Sequence, residues 1–447
     1  MKHTYRKVLT FVLLIFGFCI LVPHGAGAEP TLDLKAKSAI LVDEKSGKIL
    51  YEKNSNVSLP PASMSKVMTE YLVWEAIDKG EINWETTTQI SDYPYSLSAN
   101  KDFSGVGLRQ SKDYTVKDLY KAMAINSDNA TTVALTELIA GSEAEFVKKM
   151  NKKAKEFGMN DSKFVNATGL DNKDLGKYRP KGSSADGTNL MSAHDTALLA
   201  YRLIHDYPKA LEISSLPETD FDGQRIRNWN YMLSHDASYL KQFHYDGVDG
   251  LKTGFTDMAG YCFTGTAKRS GTRLITVVMK TASDKERFAQ TAKLLDYGFD
   301  KFDQKKTFPA GNRALANQDQ VNKTLPVVKG KNDSVPIGLK EPVEIPVQSN
   351  AKEQYELKVE LDKSKLDKDG KLKAPVKKGT KVGTAKIVEK GGKEASFIYS
   401  DQENQGLDIV TTKSVEKDNW FMLTLKAIGH FFANLFTIIF ETIKGWF

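Results

Sequence analysis

Apolar positions recur at helical spacing in several stretches of the 447-residue chain. The run from Met64 to Val73 follows Leu59-Pro60-Pro61-Ala62, and the prolines predict a helix that starts beside Ser63. Thr115, with Asp118 three residues later, caps a second helix through Ile125, and Ala130 to Ala140 forms a third, closed by Gly141. Between Gly247 and Met279 the pattern changes to three strand-like runs that read as antiparallel neighbours. Asp284 to Phe299 returns to helix, with Phe288, Ala292, Leu294, Leu295 and Phe299 at helical intervals. From about residue 303 to 400 come short alternating runs such as Tyr355–Leu361, broken by Asp369-Gly370, Lys378-Gly379 and Gly391-Gly392, which predict a small all-β module. From Trp420 to Phe447, Lys426, His430, Asn434, Thr437, Glu441 and Lys444 draw one polar stripe on an aromatic-rich helix. The uncharged run between Lys426 and Glu441 is shorter than the roughly 20 residues a spanning helix needs. An amphipathic helix in a membrane interface, with Trp420 and Trp446 at its ends, is the expectation; a packed core helix is the alternative.

The N-terminus changes the address. Lys2, Arg6 and Lys7, the apolar run Val8–Val22 and Ala26-Gly27-Ala28 read as an export signal over residues 1–28. Cys19 lies within that run, so Cys262 stands alone in the mature chain, where a buried strand thiol fits better than a reactive one. The net charge of +7 comes from scattered lysines without an aromatic-interleaved basic patch, so nucleic acid is not an expected partner. The seven histidines show no metal-ligand spacing, and no phosphate loop or dinucleotide fingerprint occurs, so no metal or cofactor is expected. His194-Asp195 follows Ser192 in what reads as a capping box.

Chemistry concentrates in three strings: Ser63-Met64-Ser65-Lys66, Ser127-Asp128-Asn129 and Lys252-Thr253-Gly254. Each alone has a plain structural reading: a helix cap beside a solvated lysine, a turn, and an edge strand with a charged gatekeeper. Ser-x-x-Lys also occurs at Ser98–Lys101 and Ser349–Lys352, so context and order carry the signal. A serine at a helix N-terminus with an amine three residues on supplies a nucleophile and a base on one face. Ser127 and Asn129 lie between two predicted helices and can face a cleft. Gly254 leaves the strand without a side chain, so that a substrate backbone can approach.

These strings and their surroundings resemble the penicillin-binding D-alanyl-D-alanine carboxypeptidases, serine enzymes that trim peptidoglycan stem peptides. Ala39–Asp43 with Gly47–Tyr51 is similar to the family's opening hairpin, Phe164–Leu170 to its segment after the second motif, and Asn228–Asn230 to its segment before the third. The resemblance runs from about residue 33 to the C-terminus. It implies an α/β (α+β) catalytic domain of the serine β-lactamase and DD-peptidase type, with an antiparallel sheet and a helical lobe, then a small all-β domain and a C-terminal amphipathic helix. The expected division is 1–28 signal, 29–302 catalytic, 303–400 β domain, and 401–447 linker and membrane anchor. The implied nucleophile is Ser63, its base Lys66 and the proton relay Ser127. Asn129 would hold the substrate amide; Lys252 and Thr253, assisted by Arg287, would anchor its carboxylate; and the backbone N–H groups of Ser63 and Phe255 would form the oxyanion hole beside Gly254. Implied partners are stem peptides, β-lactam antibiotics and the outer face of the bacterial cytoplasmic membrane. DD-endopeptidase or transpeptidase activity, a serine β-lactamase and a non-catalytic wall-binding scaffold are the alternatives, although no convincing Glu-x-x-x-Asn string of the lactamase kind stands between the second and third motifs. Three departures from the family stand out: the polar stretch Asp171–Gly187 is long, Ala167 replaces proline, and Trp229 replaces the arginine of some members.

Overall fold

Helix α1 (Lys66–Asp78) is buried around most of its circumference. Val67, Met68, Tyr71 and Leu72 pack with Ile40, Val42, Ile275 and Val277 of the main sheet, while Val73 and Ala76 join Leu119, Tyr120, Met123 and Val133 of the helical lobe. A helix that is apolar all round belongs in a core, and α1 is the shared wall between two apolar clusters. Its polar residues Lys66, Thr69 and Glu70 are therefore buried with it. The computed structural model describes residues 32–315, 323–348, 351, 354–390, 394–399 and 407–444. The export-signal reading and Trp446 lie outside these residues.

The main sheet contains β1 (Ser38–Asp43), β2 (Ile49–Lys53), β3 (Val248–Thr256), β4 (Gly260–Arg269) and β5 (Thr272–Thr281), in the order β2-β1-β5-β4-β3 and antiparallel throughout. β3 is an edge strand, so alternate backbone N–H and C=O groups face away from the sheet. The other helices of the catalytic part longer than five residues, among the described residues, are α2 (Asp92–Ala99), α3 (Val116–Asn126), α4 (Asn129–Ala140), α5 (Glu143–Glu156), α6 (Ala193–Asp206) and α7 (Asp284–Lys301). Thr115, Asp128, Ser142, Ser192 and Ser283 each cap the helix that follows by accepting a backbone N–H three residues on. Such a cap contributes about 1 kcal/mol. α7 runs two residues beyond the expected Phe299.

The β module contains β6 (Gln304–Phe308), β7 (Thr324–Val328), β8 (Ser334–Leu339), β9 (Val343–Val347), β10 (Tyr355–Leu361), β11 (Leu372–Lys373), β12 (Lys381–Glu389) and β13 (Asp408–Thr411). Its six-stranded sheet has the order β10-β12-β13-β8-β7-β11, with β6 and β9 forming a separate pair. Val335, Ile337, Leu339, Ile345, Val382, Ile387 and Ile409 make its core. β13 lies between β12 and β8, so the module continues past the boundary expected at residue 400. The texture misled because this strand is only four residues long and follows a polar stretch.

A short segment joins the module to the catalytic sheet. Ile49 N donates to Ser396 O at 2.9 Å, Ile398 N to Gly47 O at 2.8 Å, and Tyr399 Oη to Ser46 O at 2.6 Å. Lys48 is buried and donates to Pro346 O and Tyr355 Oη, both at 2.9 Å, and burial lowers its ammonium pKa to about 8. Helix α8 (Trp420–Lys444) follows, with Trp420, Phe421, Leu425, Ile428, Phe432, Leu435, Ile439 and Phe440 exposed. No helix among the described residues, α8 included, is long and apolar enough to cross a membrane.

Candidate active site

Ser63 sits in a single 3-10 turn, Ala62–Ser65, that runs directly into α1. The three strings meet around it. A cleft of about 400 Å³ is lined by Ser63, Ser127, Asn129, Thr253, Gly254, Phe255 and Arg287, with Asp102–Ser104, Leu170, Trp229, Tyr231, Tyr261 and Asp284 completing its walls. A larger groove of about 850 Å³, between the Lys45-Ser46 turn and the β module, is lined by no residue of the three strings. The reactive constellation therefore belongs to the smaller cleft.

Lys66 Nζ lies 2.9 Å from Ser63 Oγ, 2.8 Å from Asn129 Oδ1 and 2.8 Å from the backbone oxygen of Thr168. Burial pushes its ammonium well below the ordinary lysine range, and the charge of Lys252 pushes further in the same direction. Two of the three contacts are carbonyl oxygens, which only accept hydrogen bonds. An uncharged Lys66 amine gives its two N–H bonds to these oxygens, and its lone pair then faces the Ser63 hydroxyl.

The second string has two jobs. Ser127 takes a left-handed conformation at φ 62°, which ends α3 and turns the chain into α4. Asp128 caps α4, accepting from Thr131 N at 2.5 Å and from Val106 N at 2.6 Å. Both the turn and the polar presentation are thus present: Asp128 is structural, while Ser127 and Asn129 line the cleft. Asn129 is the first residue of α4 rather than part of a loop, and its backbone N donates to Ser104 O at 3.2 Å.

The third string departs from expectation at two residues. A Cβ on Gly254 would lie 2.5 Å from Pro61 O and 3.2 Å from Ser63 N, so the missing side chain makes room for the Ser63 turn itself. Gly169 does the same from the other side: at φ +81°, its Cβ would fall 1.9 Å from Ala62 O. Lys252 is only 2% exposed, is not among the cleft-lining residues, and donates to Thr253 O at 3.3 Å. Burial lowers its ammonium pKa, and Glu70 opposes that shift. Lys252 thus stands behind the wall that Thr253 presents. Arg287 is also buried, bonded to Gly254 O at 3.3 Å and ion-paired with Asp284. Cys262 is buried, and burial raises its thiol pKa to about 11, which leaves it protonated.

Sequence reasoning did not single out the groups behind these side chains. Asn166 Oδ1 accepts from Thr168 N at 3.2 Å and Gly169 N at 2.8 Å, shaping the loop whose carbonyl meets Lys66. Glu143 holds the same loop through Ala167 N at 2.8 Å. A backbone carbonyl leaves no mark in a sequence, but Glu70 leaves one: it is a charge one turn after Lys66 in an apolar helix. The long Asp171–Gly187 stretch is organised by Asn172, whose Nδ2 donates to Ser184 O at 2.7 Å and whose Oδ1 accepts from Asn166 at 3.0 Å.

Together the fold and the cleft define a serine hydrolase with a lysine beside a serine of its cleft. Residues 25–283 match the D-alanyl-D-alanine carboxypeptidase family (peptidase S11), and residues 302–417 match the C-terminal domain of penicillin-binding protein 5. The chain is 36% identical to a D-alanyl-D-alanine carboxypeptidase of Bacillus subtilis, DacF, over 88% of its own length and 91% of the relative's. It is also similar to the crystal structure of a peptidoglycan synthesis regulatory factor (PBP3) from Streptococcus pneumoniae, with a TM-score of 0.65, 34% identity, and coverage of 86% of this chain and 99% of that one. Penicillin-binding protein D2 of Listeria monocytogenes in its ampicillin-bound form shares 35% identity over 60% of this chain and 100% of its own, with a TM-score of 0.51. The protein belongs to the D-alanyl-D-alanine carboxypeptidase family.

Proposed function

We propose that Ser63 and Lys66 remove the terminal D-alanine from peptidoglycan stem peptides through an acyl-enzyme. The observation that carries this reading is the placement of Lys66 Nζ 2.9 Å from Ser63 Oγ while Asn129 Oδ1 and Thr168 O occupy its other two directions. Ser63 Oγ attacks the carbonyl between the last two D-alanines as its proton passes to the Lys66 lone pair. The C–O bond forms, the tetrahedral oxyanion settles on the N–H groups of Ser63 and Phe255, and each such donor contributes roughly 3–4 kcal/mol. Ser127 relays the proton to the departing nitrogen, the C–N bond breaks, and D-alanine leaves. Water then attacks the ester, gives its proton back through Lys66, and frees Ser63. Asn129 holds the acyl amide, while Thr253, Lys252 behind it, and Arg287 hold the terminal carboxylate. Penicillins offer a strained amide and a carboxylate in the same relation, so they acylate the same oxygen.

Residues 1–28 act as the export signal, and the catalytic domain ends near residue 302. α8 rests in the outer face of the cytoplasmic membrane; the exposed Trp420, Phe421, Leu425, Phe432 and Phe440 support this, because so large an apolar face needs a partner.

Ser63→Ala is expected to abolish both fluorescent-penicillin labelling and D-alanine release from a stem pentapeptide while leaving the circular dichroism unchanged. Mass spectrometry of the penicillin-treated wild type should place the adduct on the peptide holding Ser63; an adduct on any other residue would reject the assignment.

A further inference from the structure

Of the two N–H groups proposed to meet the oxyanion, that of Ser63 is placed by the turn it belongs to, which runs straight into α1. Phe255 N–H lies near the end of β3, an edge strand with a sheet neighbour on one side only. The tilt of a peptide group there needs a second hold. Phe255 N–H belongs to the peptide unit whose carbonyl is that of Gly254, and this bond is trans. Such a unit is planar, with N–H and C=O pointing in opposite directions, so whatever fixes Gly254 O also aims Phe255 N–H. Gly254 O accepts from Arg287 Nη1 at 3.3 Å. Arg287 is itself buried and held on several sides. Its Nη2 is ion-paired with Asp284, one turn earlier in α7, and its Cζ lies 4.8 Å from the Phe288 ring and 5.6 Å from the Tyr261 ring. Tyr261 in turn packs on the Phe255 ring, with 4.4 Å between centroids. The unit is therefore tied to Arg287 directly through Gly254 O and indirectly through the Phe255 ring, while the Ser63 turn closes on Gly254 from the other side.

We propose that Arg287 is a positioning residue for the oxyanion hole: its guanidinium anchors Gly254 O and so aims Phe255 N–H at the oxygen that becomes negative. The inference rests on the assignment of Ser63 as nucleophile and Phe255 N–H as oxyanion donor, and it is separate from the contact of Arg287 with a substrate carboxylate. Two effects act together. The hydrogen bond sets the tilt of the peptide plane, and a donor contributes most when it already points at the place where charge develops. The positive charge on the carbonyl also draws electron density from the amide, which makes its N–H a stronger donor. The two roles of Arg287 make different demands on a ligand. A carboxylate anchor matters only to ligands that carry a carboxylate, whereas an aimed N–H matters to every acyl or phosphonyl group that reaches Ser63.

The test is Arg287→Met in the full chain, treated with an alkyl fluorophosphonate that carries no carboxylate. Ser63 Oγ attacks phosphorus as its proton passes to Lys66, the P–O bond forms, fluoride leaves, and the phosphoryl oxygen takes the oxyanion position. The inactivation rate constant at saturation is expected to fall about 10- to 100-fold, short of the loss on removing a donor outright. On an N-acylated D-alanyl-D-alanine peptide, kcat should fall by a similar factor whatever happens to KM. The carbonyl stretch of the penicilloyl ester, read by infrared difference spectroscopy, should move to higher wavenumber, because a misaimed donor polarises the C=O less. A purely structural role would not move that band. An unmoved band, or a loss confined to KM on the peptide, overturns the proposal and leaves Arg287 as a carboxylate anchor only. Asp284→Asn keeps Arg287 and removes its ionic partner, so it should shift the band in the same direction by a smaller amount. If Arg287→Met does not fold, this second variant decides, and an unmoved band there overturns the proposal. Penicillin labelling of the wild type is read in parallel. If no adduct forms on Ser63, the nucleophile assignment fails; if it forms and the band is unmoved in the variants, only the positioning role of Arg287 fails.

Discussion

Two glycines hold the turn that carries Ser63, the proposed nucleophile. Gly254 supports it from the sheet and Gly169 from the loop after α5, each with backbone atoms where a methyl group would have to stand. Gly254→Ala puts a carbon 2.5 Å from Pro61 O and so pushes the Ser63 turn off β3. A displacement of roughly 1 Å at a reacting atom can cost about 100-fold in rate, and a loss of that order is expected in stopped-flow acylation by a fluorescent penicillin, with the fold retained. An unchanged rate would show that the turn has slack. With Lys66 as the proposed base, the acid limb of the pH profile is expected to follow its loss of a proton. Burial first and Lys252 second lower its pKa, so activity climbs as pH rises through that lowered value. Lys252→Gln removes the repulsion, and the limb should then move to higher pH; movement to lower pH would show that Lys252 does not act on Lys66 as a cation. Ser63, Lys66, Ser127, Asn129 and Thr253 could be singled out as candidates because each belongs to a string whose order is distinctive. Gly254 was legible as a position, but its reason was not, because the atoms that approach it come from a turn nearly 200 residues earlier in the chain.

At the scale of elements, the amine of Lys66, the proposed base, is held by a loop outside its own helix. Asn166, Thr168 and Gly169 form a tight bend that presents a carbonyl to Lys66, and Glu143 at the start of α5 ties the bend down. Glu143 is fully buried, and desolvation raises its carboxyl pKa to about 7. The folded state therefore keeps a proton that the unfolded chain releases near the ordinary value of 4.5. Stability falls as pH rises from about 4.5 through 7, by on the order of 3 kcal/mol at most from this group. Glu143→Gln should flatten that slope, read as a smaller difference between urea midpoints at pH 5 and pH 8 than in the wild type. An equal difference in both proteins would place the proton elsewhere. Helix starts were readable from local chemistry, since Thr115 and Ser192 cap through residues three positions away. The 171–187 stretch was not, because Asn172 organises it by reaching Ser183, Ser184 and Asn166 at once.

Across the whole molecule, the β module is fastened to the catalytic sheet at the β1–β2 turn, where Gly47 leaves room for the Tyr399 ring and Lys48 enters the module. None of the residues lining the cleft belongs to α8, so the two should be separable. A chain ending at Asp418 is expected to label with penicillin at a rate within about twofold of the full chain. It should also lose co-sedimentation with anionic lipid vesicles, since the apolar face of α8 is gone. Continued sedimentation would place the membrane contact elsewhere, and lost labelling would mean that α8 supports the cleft.

The sequence by itself determined the chemistry and the local elements: a serine, a lysine, a Ser-Asp-Asn turn and a Lys-Thr-Gly strand in fixed order, with caps and apolar spacing that start the helices. These are short-range properties, set by neighbours within a turn or a strand. Tertiary structure decided which carbonyls lie against Lys66, why position 254 has no side chain, and where the β module ends. Each of these depends on groups far apart in the chain being brought within a few ångströms and out of water. There, close packing and charge act at distances and strengths that no local pattern records.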